Sequence, residues 1–285
     1  MMSAIPYDAT RASLLNPQTK PTVFVPGRAV ELRALCVEAA RLAYVRAEEG
    51  GAALEELSDA LAIVGFDPPS IFSDATTGSQ GYGAFRRSDS LALLAFRGTE
   101  PDSIADIAID LQVSLTEWTE SGGRVHVGFA RAARSMLSCV TNWLATTAAS
   151  RAKVVMTGHS LGAAIASLLA SACKADQLLT IGCPRVGDAA FKKTLDAVEI
   201  TRLVDCCDIV TELPPEIGGY VHCAPMTYIT SAGIVDSGAG EAFIESDRAA
   251  ARRAYMYDYA WREGNVIIRD LADHAPINYV RAVFS

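Results

Sequence analysis

A serine held between a strand and a helix constrains this chain more than any other feature. Residues Gly158-His159-Ser160-Leu161-Gly162 follow the apolar run Lys153-Val154-Val155-Met156-Thr157 and precede a helix-forming stretch over 163–175. A sharp strand-to-helix turn lifts a serine oxygen clear of a sheet, and small residues two before and two after it let strand and helix approach closely. The segment predicts a strand, an elbow, a helix and a nucleophilic serine at position 160. The plain alternative is a glycine-rich helix start that only packs on a sheet.

The flanking pattern extends the same architecture in both directions. Leu32, Leu35, Ala39 and Leu42 recur at helical spacing, with Glu31, Arg33, Glu38 and Arg41 off that stripe, which predicts an amphipathic helix over about 28–47 covering one sheet face. Residues 81–85 and 91–96, separated by a polar turn over 86–89, predict an antiparallel hairpin. From residue 129 the pattern predicts helix 129–147, strand 153–157, helix 162–175, strand 178–182, helix 188–197 and strand 200–205. Alternation of that kind specifies parallel strands joined by crossover helices. The expected fold class is α/β: an α/β-hydrolase fold with a central mixed, mostly parallel sheet flanked by helices, forming a single domain over residues 1–285.

Composition narrows the partners. With 285 residues, half of them apolar, the chain buries a sizeable core. Its net charge of −8 disfavours nucleic acid and anionic membrane, which bind through clustered Lys and Arg. No stretch approaches the roughly 18 to 20 apolar residues of a transmembrane span. Residues 1–20 mix Pro6, Asp8, Arg11 and Pro17 into their apolar residues, unlike the continuous core of a secretory signal, so the expected location is cytoplasmic, or exported by a route without a signal peptide. Seven cysteines, an odd number without metal-type spacing, are expected as reduced thiols, and neither a metal nor another cofactor is implied.

Serine hydrolysis needs a base for the hydroxyl proton and a carboxylate to orient that base, and on this fold they follow the serine in the order acid, then histidine. Of four histidines, His159 belongs to the elbow and points away from Ser160, and His126 precedes it. His222 and His274 remain. His222 lies in the alternating, strand-like run Tyr220-Val221-His222-Cys223, whereas His274 follows strand-like Val266-Ile267-Ile268 and a polar turn, a position suited to reaching over to the serine. Asp205 and Asp208 are both candidate acids.

Several motifs occur in order: Phe96-Arg97-Gly98-Thr99, Val125-His126-Val127-Gly128-Phe129, the elbow, Gly182-Cys183-Pro184-Arg185-Val186-Gly187, Asp208-Ile209-Val210 leading to Leu213-Pro214-Pro215, and Asp273-His274. Through them the sequence, over about residues 30–285, resembles the class 3 lipases, the group of fungal triacylglycerol lipases and their bacterial relatives. The resemblance implies Ser160 as nucleophile, Asp208 rather than Asp205 as the acid and His274 as the base. Leu161, directly after the nucleophile, and by resemblance Thr99 supply the oxyanion donors. Arg97 matches a structural position that ties loops together through carboxylates, and His126 a packing position. Asp205 is then expected to make a local turn bond, and His222 to be a satisfied core residue.

In that family the stretch after the Thr99-type donor forms a lid, here expected over 101–118, with Ile104, Ile107 and Leu111 on one helical face toward substrate. An insertion is expected over 230–265, with a helix starting near Glu245-Ser246-Asp247 and running over 249–262. Its aromatics either pack it onto the body, the favoured reading, or line an acyl pocket. The implied function is a serine carboxylic ester hydrolase, a lipase or esterase, cleaving acylglycerols or other lipid esters through an acyl-enzyme. Its partners are a lipid or small ester substrate and a transient lipid-water interface. The alternatives are a phospholipase A1, a feruloyl-type esterase or, in a different class, a non-catalytic lipase-like binding module; the oligomeric state is left open.

Overall fold

The computed structural model describes residues 5–98 and 114–284. Among the described residues ten strands run in chain order: β1 (Ser70–Asp74), β2 (Ser79–Arg86), β3 (Leu91–Phe96), β4 (Leu115–Glu117), β5 (Arg124–His126), β6 (Lys153–His159), β7 (Gln177–Ile181), β8 (Glu199–Asp205), β9 (Met226–Ile229) and β10 (Val235–Asp236). Eight form one sheet in the order β1-β2-β3-β6-β7-β8-β9-β10, and β4 pairs with β5. β1, β2 and β3 are antiparallel neighbours, β3-β6-β7-β8-β9 are parallel, and β10 returns antiparallel to β9. The mixed, mostly parallel sheet follows from crossover helices between the central strands. The helices are α1 (Arg11–Leu15), α2 (Leu32–Leu42), α3 (Gly51–Ile63), α4 (Val127–Ala145), α5 (Leu161–Cys173), α6 (Ala189–Lys193), α7 (Glu241–Asp258), α8 (Arg269–Ala272) and α9 (Pro276–Phe284).

The two faces of the sheet carry separate cores, and period-two alternation divides them. In β3, Leu91, Leu93 and Ala95 join a core shared with α2 and α9, while Ala92, Leu94 and Phe96 join a core shared with α4 and α5. Every β3 side chain is buried, as a strand covered on both faces requires, and the strand reads as an unbroken apolar run. The register aligns Phe96 with Gly158, His159 with Ile181, and Ile181 with Leu203. The strand ends that carry polar motifs therefore lie side by side.

Several elements depart from expectation. Glu38 and Arg41 lie off the apolar stripe of α2 yet are fully buried, paired at 2.6 Å. The N-terminal segment covers them: Arg41 donates to the carbonyls of Pro17 and Lys20, and Glu38 accepts from Thr22 Oγ1 and the Val23 N–H. α6 stops at Lys193, capped at its start by Asp188, whose side chain accepts from Phe191 N at 2.9 Å. The expected strand at 266–268 does not form. The chain makes one bridge from Asn265 to Thr10 and leaves Ile267 and Ile268 exposed. Residues 220–223 likewise make a single bridge, from Val221 to Gly187. Within the 230–265 excursion the helix begins at Glu241 and ends at Asp258, so Asp247 sits inside it and binds Ser231 N, Ser231 Oγ and Tyr228 Oη.

Candidate active site

Ser160 sits at the end of β6 with φ of +58°, a backbone region a side chain occupies only when its surroundings enforce it. Those surroundings are glycines. A Cβ at Gly158 would run into the Gly162 carbonyl, and a Cβ at Gly162 into the Phe96 carbonyl, so strand, helix and the neighbouring β3 approach closely only with both glycines in place. The Ser160 N–H donates to Ile181 O at 3.1 Å, which ties the elbow to the end of β7. Leu161 is the first residue of α5, and first-turn N–H groups have no intrahelical acceptor and lie at the positive end of the helix dipole.

The residue after Ile181 brings the other expected groups in. Gly182, at φ of +59°, lies so close to His274 and Asp208 that a Cβ there would sit 2.9 Å from His274 Cε1 and 3.0 Å from Asp208 Oδ2. His274 and Asp208 are fully buried, and His274 Nδ1 lies 2.9 Å from Asp208 Oδ2 and 3.0 Å from Oδ1. A carboxylate on Nδ1 places the proton there and leaves Nε2 as a proton acceptor. Nε2 is buried and makes no hydrogen bond among the described residues. Asp208 caps the short turn Ile209–Glu212, accepting from Val210 N at 3.0 Å, and His274 occupies the turn between α8 and α9. Ser160, Asp208 and His274 thus gather around Ile181 and Gly182 at the end of β7.

The other sequence candidates separate cleanly. Asp205 serves the turn through its backbone, its carbonyl accepting from Asp208 N at 2.7 Å. Burial, then the nearby Asp273 charge, pushes its carboxyl well above the usual range. Arg97 pairs with Glu48 at 2.9 Å, tying the end of β3 to the loop before α3. His126 caps α4, its Nδ1 accepting from Gly128 N and Phe129 N while the ring packs on Phe129. His222 is half-buried, its ring hydrogen-bonded to the Thr211 backbone, and it lines a cavity. All seven cysteines are free. Cys206, Cys207 and Asp273 bring potential ligand atoms within 4.8 Å of one another, a grouping that chain spacing does not reveal. The Asp273 carboxylate is already bonded to Tyr7, Arg269 and Cys207 N. Thr99 and the lid candidates Ile104, Ile107 and Leu111 lie outside the described residues.

Residues 93–218 match the family model described as lipase (class 3). Over that stretch the chain resembles the class 3 lipases. It is 32% identical over 171 residues to the secreted mono- and diacylglycerol lipase A of Penicillium cyclopium, an alignment spanning 56% of this chain and 55% of that one, so the chain spans about half the length of that relative. Among solved structures it resembles the lipase of Rhizopus microsporus var. chinensis, with a TM-score of 0.59 and 25% identity over 80% of this chain and 84% of that one. It also resembles a triacylglycerol lipase described as having a serine protease triad at its catalytic centre, with a TM-score of 0.55 and 25% identity over 70% and 77% of the two chains. The α/β-hydrolase fold is shared with these lipases. One expectation is overturned: the Penicillium relative is named as secreted, which points to export rather than a cytoplasmic location. No described helix is long and apolar enough to cross a membrane.

Two supports of this site are not legible in the sequence. Tyr279 of α9 donates its hydroxyl to Asp208 Oδ2 at 2.6 Å and accepts from Asp205 N at 3.1 Å. On the other side of His274, His159 Nε2 lies 2.8 Å from the His274 carbonyl, and its Nδ1 2.6 Å from Tyr44 Oη. A carbonyl only accepts, so Nε2 carries the proton and Nδ1 accepts from Tyr44. Burial, then the His274 charge, drives the His159 pKa well below its ordinary value and keeps the ring neutral. The only local clue was an interior helix tyrosine, a residue that needs a hydrogen-bond partner once buried.

Proposed function

We propose that this chain is a serine carboxylic ester hydrolase that cleaves acylglycerols and related lipid esters through an acyl-enzyme. The observation that carries the reading is the buried His274–Asp208 pair set on Gly182 beside the positive-φ Ser160. The names of its lipase relatives supply the substrate class.

In the proposed reaction Ser160 Oγ attacks the ester carbonyl carbon as its proton passes to His274 Nε2. Asp208 stabilises the resulting imidazolium and holds the ring in register. The Leu161 N–H, with Thr99 as the second donor, receives the negative charge that forms on the carbonyl oxygen. The tetrahedral intermediate collapses as Nε2 returns the proton to the departing alcohol. Water then attacks the acyl-enzyme by the same proton route and releases the fatty acid and free Ser160. Of the expected 101–118 lid, residues 115–117 form β4 and Trp118 is fully buried, so the proposed lid is the part of the segment before them.

Hydrolysis of glycerol esters from butyrate to oleate, below and above each solubility limit, tests the reading beside Ser160→Ala. Activity in the native chain that is lost in the variant, with fluorophosphonate labelling of Ser160 alone, is the expected result. A rate jump at the interface on long chains identifies a lipase with a working lid, and smooth saturation on soluble short esters an ungated esterase. Absence of both turnover and labelling overturns the proposal.

A further inference from the structure

On the α4 and α5 side of the sheet, away from the Leu203 core, a cleft of about 440 Å³ opens between β8, β9 and the 211–216 loop. That volume falls within the roughly 300–1,000 Å³ of small-molecule pockets. Its polar wall holds Arg185, Arg202, Arg248, His222 and Thr211, with the carboxylates Glu212 and Glu216. Two of the arginines are committed: Arg248 Nη1 to Glu212 Oε1 at 2.8 Å and Arg185 Nη2 to Glu216 Oε1 at 3.2 Å. Arg202 is not. It is 6% exposed, and among the described residues it makes one hydrogen bond, from Nε to Ala224 O at 3.0 Å, and no ion pair. The Arg185 Nε donor is also buried without an acceptor. A guanidinium taken out of water without a carboxylate carries an uncompensated desolvation cost, which a bound anion offsets.

We infer that this cleft binds an oxyanion carried on an apolar body, with Arg202 and Arg185 holding the anion and His222 beside it. The free edge of the Arg202 guanidinium offers two N–H groups in the fork geometry that suits carboxylate and phosphate oxygens. Val204, Pro215 and Met226 are the apolar part of the lining and give the apolar remainder a surface. His222 is set for a neutral role: burial, then the charges of Arg202 and Arg185, pushes its pKa down to about 3. The inference is independent of hydrolysis at Ser160. Thr211 nevertheless links the two regions, since it lines the cleft and donates its hydroxyl to the Asp208 carbonyl at 2.7 Å.

Proton NMR of the His222 ring, assigned with His222→Gln, reads the cleft locally and without turnover. At pH 7 the full chain is titrated with octyl phosphate, octanoate, inorganic phosphate and octanol. Saturable shifts of the His222 resonance with octyl phosphate or octanoate are expected, at least tenfold tighter than with inorganic phosphate, and none with octanol. The tighter of the two amphiphiles identifies the head group. Arg202→Gln is expected to weaken binding at least tenfold. Because Arg202 is buried, Met226→Asp, at a partly exposed position on the cleft wall, supplies a second variant that places a like charge beside the ligand and is expected to weaken it comparably. Equal response to octanol, equal affinity for inorganic phosphate, or affinity unchanged in both variants overturns the inference.

Discussion

Two buried carboxylates one residue away from each other's partners, Asp208 and Asp273, are built alike but hold different nitrogen partners. Each accepts from a tyrosine hydroxyl, a backbone N–H and a side-chain nitrogen. For Asp208 these are Tyr279, Val210 N and His274 Nδ1; for Asp273 they are Tyr7, Cys207 N and Arg269 Nε. Since Cys207 precedes Asp208 and Asp273 precedes His274, each carboxylate also fastens the segment that carries the other. The difference lies in the nitrogen partner. An imidazole bound at Nδ1 still has Nε2 with which to exchange a proton, whereas a guanidinium remains charged and has no proton to trade. The lesson is that burial and full hydrogen bonding do not single out the proposed catalytic acid; the open valence of its partner does.

Asp208→Asn challenges this contrast most severely. It keeps the shape but favours the wrong tautomer of His274, so kcat on a soluble ester is expected to fall about 10⁴-fold with KM little changed. Asp273→Ala should do the opposite. It strands a buried Arg269, at a cost of about 3–5 kcal/mol in urea unfolding, while kcat per folded molecule stays far above that of Asp208→Asn. A deep loss of kcat without a loss of stability would break the comparison.

The tyrosines sharpen it. Tyr279→Phe removes a hydrogen bond to a charged acceptor, of about 1.5–3 kcal/mol, and is expected to lower kcat/KM about ten- to a hundredfold. Tyr7→Phe removes the matching bond from Asp273 and is expected to change the urea midpoint but not kcat. The smallest effect concerns pH. Buried His159 titrates well below its ordinary 6.5 because of burial first and the His274 charge second. The unfolded chain therefore takes up a proton below 6.5 that the native state refuses. The stability linked to His159 is whole above that pH and declines as the pH falls. Melting temperatures from pH 7 to 5 are expected to drop more steeply in the native chain than in His159→Gln.

What was legible in the sequence was what short-range chemistry dictates. The elbow glycines, the 81–96 hairpin and the alternation of strands and helices are local patterns, and they formed as read. The order of acid and histidine reduced the base to two residues, but choosing Asp208 over Asp205 rested on resemblance, because residues three apart at a strand end look equivalent until the turn is folded. Helix limits were less legible. Asp247 looked like a helix start because such residues cap helices, yet Ser231 and Tyr228, brought close by β9, satisfy it inside α7. Glu38 and Arg41 looked like a solvated face because nothing in α2 announces that residues 17–23 lie across it.

The sequence by itself determined the elbow, the alternating α/β order and the residue types that nucleophile, acid and base require, since each depends on neighbours within a few positions. Only the tertiary structure decided which carboxylate faces a histidine and which an arginine, that Tyr279 and Tyr44 brace the site, and that the cleft's two carboxylates pair with Arg185 and Arg248 and leave Arg202 without one. Those outcomes depend on contacts between residues tens to hundreds of positions apart, and no local pattern encodes a long-range partner.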